Sequence, residues 1–134
     1  MSLTVSSSGD VGDVCYLLGI LKDLPGGPHT LVLEASDKTK AKDQEGVERL
    51  LSIIGPLANS QPYIKECRLR QSTEKVDWQS ADFRSNHYKM GETLMQAHMN
   101  HLTKVKGVTI PNLGVEPWLT STPSSSAKGR ILIN

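Results

Sequence analysis

The chain has 134 residues, with 15 Lys and Arg against 14 Asp and Glu, a formal net charge of +1. That length suits one domain with its own core, and its ordinary shares of apolar (37%) and charged (22%) residues exclude a wholly disordered chain. Near-balanced charge without a basic stripe excludes the electrostatic footprint of a nucleic-acid binder.

Met1 to Ser8 lacks the basic start and apolar run of a signal peptide. No stretch approaches the roughly 20 apolar residues of a membrane span. No span and a cytoplasmic location are therefore expected. Cys15 and Cys67 are far apart and outside CxxC spacing, so they read as two buried thiols rather than a disulfide scaffold or zinc site. A bridge between them requires Cα atoms within about 7 Å.

In chain order, Leu3, Val5 and the following serines make a short strand pattern. Gly9-Asp10-Val11-Gly12-Asp13 is a turn by its glycines and aspartates, and Asp10 or Asp13 caps the helix that follows. Val14, Leu17, Leu18, Leu21 and Leu24 recur at helical spacing until Pro25-Gly26-Gly27-Pro28 ends the helix. Thr30 to Ala35 is an apolar run of the kind buried on both faces. After a polar loop, a second helix is expected over about Glu45 to Ala58, with Val47, Leu50, Leu51, Ile54 and Leu57 toward the core. Tyr63 to Leu69 reads as a third strand introduced by Pro62.

Val76 and Trp78 add a brief strand or an ordered loop, and a third helix is expected from about Asn86 to Leu102. Met90, Leu94, Ala97 and His101 form its main stripe, and Asp82 or Ser85 would cap it. Beyond a segment centred on Val108 and Ile110, residues 117–128 have Pro/Ser-rich linker composition. Arg130 to Asn134 then reads as an orphan strand. Strand–helix–strand–helix–strand order implies an α/β fold: a Rossmann-like open, mostly parallel sheet flanked by helices, occupying residues 1–116.

In such sheets ligands lie beyond the carboxyl ends of the strands, where the Gly9–Asp13 turn stands. Neither GxGxxG nor the Walker pattern is present, and two aspartates would repel a phosphate set against them. A carboxylate here suits taking a proton from a hydroxyl nucleophile; the plainer reading is helix capping alone.

The segment Gly9 to Lys22, behind a short strand, resembles the start of heptosyltransferase-like glycosyltransferases of the two-Rossmann-domain (GT-B) type. So do Gln61-Pro62-Tyr63-Ile64-Lys65-Glu66-Cys67, Trp118-Leu119 before a Pro/Ser linker, and Arg130 to Asn134, which is similar to the first strand of a donor domain. The resemblance covers most of this chain but about half of such an enzyme. It implies an acceptor-binding domain with Asp13 as the base and Gly12 keeping the turn open for the sugar. It also implies that a nucleotide-sugar donor would need the second domain, so no cofactor is expected on this half. Asp10 joins the acceptor site by its place in the turn.

His98 and His101, three apart on a helix, would need a third or fourth ligand to hold a metal, for which His87 and Glu92 are nearest; no metal site is assigned. His98 can instead hydrogen-bond a sugar hydroxyl, Arg84 can meet an anionic acceptor group, and Trp78 and Trp118 can stack on a ring or pack in the core. Two further readings compete with the glycosyltransferase one. The first is a non-catalytic assembly module that binds a partner chain, or a second copy of itself, through the C-terminal strand. The second is a nucleotide-binding regulatory domain, which the missing phosphate-binding glycines disfavour.

Overall fold

The computed structural model describes residues 2–37, 39, 41–82, 93–110 and 116–120. Four strands, β1 (Thr4–Ser7), β2 (His29–Leu33), β3 (Ile64–Leu69) and β4 (Trp78–Gln79), form one sheet in the order β3-β2-β1-β4. All pairings are parallel. The α/β, Rossmann-like expectation is thereby met.

Helix α1 (Val11–Asp23) crosses from β1 to β2 and α2 (Gln44–Asn59) from β2 to β3, while α3 (Leu94–Lys106) packs beside α1. Register puts Val5, Leu31, Cys67 and Trp78 on one sheet face, because successive side chains alternate and paired residues share a side. Those four join Leu17, Leu21, Val47, Ile54 and Leu102 in a single core.

The opposite face carries the row Gln79, Ser6, Val32 and Arg68. No helix follows β3. Instead the chain between Leu69 and Trp78, with a turn closed by the Glu74 N–H on the Gln71 carbonyl, straps this face. Arg68 fastens it with a two-nitrogen fork on Glu74 (2.7 and 2.6 Å) and a further bond to Glu66 (2.9 Å). Arg70 bridges Glu34 (2.6 Å) and Gln79 (3.0 Å). The Asp77 N–H donates to the Thr4 carbonyl at 2.8 Å and seats the strap at the start of β1.

The outer edge of β3 is closed by a side chain. Asn59 donates to the Cys67 carbonyl (3.1 Å) and accepts from the Cys67 N–H (2.8 Å), in place of a neighbouring strand.

Helix α3 differs from the expected span. Thr93 is its N-cap, accepting from the Gln96 N–H at 3.1 Å, and Gly107 at φ 68° ends it with its N–H on the Thr103 carbonyl. The left-handed glycine carries the helix four residues beyond the expected end at Leu102. Residues 83–92, including the expected start, lie outside the described residues. So do the linker beyond Thr120 and the strand expected at Arg130 to Asn134.

Among the described residues no helix is long and apolar enough to cross a membrane.

Candidate functional site

The site grows from the carboxyl end of β1. Sheet order turns at β1: β2 and β3 extend to one side and β4 to the other, which makes the carboxyl end of β1 the topological switch point of the sheet. Ser6 to Gly9, all buried, run into it, and a 3-10 turn at Ser80–Asp82 follows β4. The Ser80 hydroxyl donates to the Ser6 carbonyl at 2.9 Å and ties the two strand ends together. The Ser7 hydroxyl accepts from the Gly9 N–H at 3.2 Å, which folds the chain upward into α1.

Asp10 is the N-cap of α1, and Asp13 stands three residues inside it. The Asp13 carboxylate reaches back to accept the Asp10 N–H at 3.1 Å, so one carboxylate closes the turn and meets the positive end of the helix. Asp13 is 8% exposed. Gly9 makes this closure possible: a Cβ there would lie 2.3 Å from the Asp13 Cβ. Gly12 is the opposite case, because a Cβ there would meet nothing within 4 Å.

Beside the turn a cleft of about 430 Å³ separates the starts of α1 and α2. Asp10, Val11 and Gly12 line one wall, Arg49, Leu50 and Ile53 the other. Sequence periodicity placed Leu50 in the core and gave Arg49 and Ile53 no role. The available signal was Ile53 itself, an isoleucine off the buried stripe and 60% exposed.

The other expected residues lie elsewhere. His98 is 2% exposed and packs edge-on against Trp78, with ring centroids 6.4 Å apart. His101 accepts the Trp78 indole N–H at Nδ1 (2.9 Å), so both histidines turn toward that tryptophan inside the domain. Among the described residues no group of three or more His, Cys, Asp or Glu could hold a metal ion. Arg84, His87 and Glu92 lie outside the described residues. Trp118 packs against the core and donates its indole N–H to the Cys15 carbonyl at 2.8 Å.

Burial pushes the Cys15 thiol up and the Cys67 thiol up to about 11. Both are free cysteines held as thiols at neutral pH, which makes them poor nucleophiles. Burial likewise drives the Tyr63 phenol up to about 12, in keeping with its role as donor to the Trp118 carbonyl.

The arrangement offers two aspartates in the turn at the tip of β1: Asp10, which lines the adjoining small-molecule-sized cleft beside the bare Gly12, and Asp13, which is buried behind it and is not part of the cleft lining. In comparisons with known proteins, no family model, curated protein or solved structure matched the chain.

Proposed function

We propose that this chain is the acceptor-side α/β unit of a glycosyltransferase-like enzyme, its β1–α1 turn receiving a sugar hydroxyl. The observation that carries the reading is Asp13, set in the first turn of α1 directly beyond β1, at the point where the strand order reverses. The residues of the Gly9–Lys22 segment, which resembles the acceptor half of heptosyltransferase-like enzymes, support the same reading. In the reaction, the acceptor oxygen forms a bond to the anomeric carbon of a nucleotide sugar. The bond from that carbon to the nucleotide breaks, and the hydroxyl proton passes to Asp13. The donor is held by a separate unit.

Titration of the isotope-labelled chain with a panel of methyl glycosides, read by amide shifts, tests the acceptor role. Saturable shifts centred on Gly9 to Asp13 are expected; a panel in which no glycoside moves these amides overturns it. The proton-acceptor role is read separately. Asp13→Asn keeps an oxygen to cap Asp10, so sugar binding persists while transfer, assayed with the donor-binding unit present, falls by about 10²-fold or more.

A further inference from the structure

Four large hydrophobic side chains are exposed among the described residues, and two of them, Val11 and Ile53, stand on the two walls of the cleft between α1 and α2. Singly, such residues are ordinary surface. Here they flank Leu50 in a cleft of about 430 Å³, within the range of small-ligand sites, roughly 300–1,000 Å³.

Two charges line the same cleft, Asp10 on one wall and Arg49 on the other, and their signs cancel. Arg49 pairs with Glu45, one turn back on its own helix at 3.2 Å, with both side chains largely in solvent. Such a pair contributes little and is readily exchanged for a ligand hydroxyl. Gly12 completes the opening. A glycine costs helix stability relative to alanine, yet no neighbour requires it here, and its bareness leaves the α1 wall open beside Val11.

We infer that this cleft seats a neutral sugar ring bearing an apolar edge, a 6-deoxyhexose by chemical class, as the specificity pocket of the acceptor site. The inference rests on the acceptor reading above. The methyl group and C–H face lie against Val11, Leu50 and Ile53. The hydroxyl edge donates to Asp10 and accepts from Arg49. A uronate or a phosphorylated sugar is disfavoured, because the Asp10 carboxylate offsets the Arg49 charge.

The test compares three probes on the labelled chain: a methyl 6-deoxyhexoside, its 6-hydroxy counterpart and the corresponding methyl uronate. The 6-deoxyhexoside is expected to bind several-fold more tightly than its counterpart, with the uronate weakest, and to shift the amides of Val11, Gly12, Leu50 and Ile53. Ile53 is 60% exposed and a Cβ at Gly12 meets nothing within 4 Å, so Ile53→Gln and Gly12→Leu are both expected to fold, which a thermal melt of each checks. Each weakens the 6-deoxyhexoside by about tenfold. Equal binding of all three probes, or unchanged affinity in both variants, overturns the inference. Binding that persists in both variants, with shifts confined to Gly9, Asp10 and Asp13, removes the cleft assignment and leaves the acceptor reading standing. No binding by any probe or by the wider glycoside panel removes both.

Discussion

Gln61 holds both main-chain groups of Thr120, 59 residues further along the chain: its amide donates to the Thr120 carbonyl at 2.9 Å and accepts the Thr120 N–H at 3.1 Å. Tyr63 donates to the Trp118 carbonyl, and Trp118 donates to the Cys15 carbonyl from a position over Gly19. The Gln61-Pro62-Tyr63 turn and the Trp118–Thr120 segment, separate in sequence, are therefore one structural unit seated against α1.

Gln61 is 2% exposed, and its amide is the anchor of that unit. Gln61→Ala is expected to cost about 1–3 kcal/mol, because the same amide also donates to the Leu57 carbonyl and its loss leaves buried partners unpaired. The more specific readout is local. The Trp118 indole proton, protected by the Cys15 carbonyl, should exchange with solvent markedly faster in the variant, while the Trp78 indole proton is unchanged. Equal protection of both indoles in variant and wild type would show that Gln61 does not hold the segment.

Gly9 and Gly12, three residues apart in one turn, should respond to alanine in opposite directions. Gly9→Ala drives a methyl group into Asp13, whose Cβ would be 2.3 Å away, and the carboxylate must leave the Asp10 N–H. A loss of about 1–3 kcal/mol follows from overpacking and the broken cap. Gly12→Ala meets nothing and should gain about 0.5–1 kcal/mol from the backbone entropy that glycine gives up. Denaturant midpoints of the two variants check the sign of each.

The fold was readable where local chemistry and periodicity agree. Asp10 stands where an N-cap is expected, Pro25 to Pro28 stops α1, and the stripe of Val47, Leu50 and Ile54 fixes which side of α2 is buried. Strand β4 was visible only as an ambiguous Val76–Trp78 pair, because two residues carry no period. The strap across the second sheet face was not legible at all. Arg68 and Glu74 belong to a strand and a loop, and their pairing depends on the chain doubling back over the sheet. The site was half legible for the same reason. The Gly9–Asp13 turn is contiguous in sequence, whereas Arg49 and Ile53 reach the cleft only when α2 is laid beside α1.

The Arg68–Glu74 fork makes the strap sensitive to acid. Hydrogen bonds from Arg68, with help from the Gln71 N–H, hold the Glu74 carboxyl down from its ordinary 4.5 to about 2. Glu74 in turn raises the already high value of the Arg68 guanidinium. A depressed carboxyl favours the folded state above its unfolded value, and that advantage is lost as pH falls from 4.5 toward 2. Glu74→Gln removes the titrating group, so its stability should depend less on pH than the wild type between about pH 5 and about pH 2. Urea midpoints at the two ends give the comparison, and identical slopes in both proteins would exclude the fork as a contributor.

Trp78 makes a two-residue edge strand permanent. β4 is paired to β1 only at Val5↔Trp78 and Ser6↔Gln79, too little ladder to hold an edge by itself. Its anchor is the buried indole, which packs on His98 and donates to His101 Nδ1 across the sheet–helix interface. Trp78→Phe leaves a buried imidazole acceptor without its donor and a void beside it, for an expected loss of about 2–4 kcal/mol. His101→Leu strands the indole N–H and should cost about 1–3 kcal/mol. Combining the two replaces both partners by apolar groups, so the double variant should be more stable than the sum of the single losses predicts, by about 1 kcal/mol. A cycle that adds to zero would mean that packing alone, without the indole–imidazole bond, fastens β4 to α3.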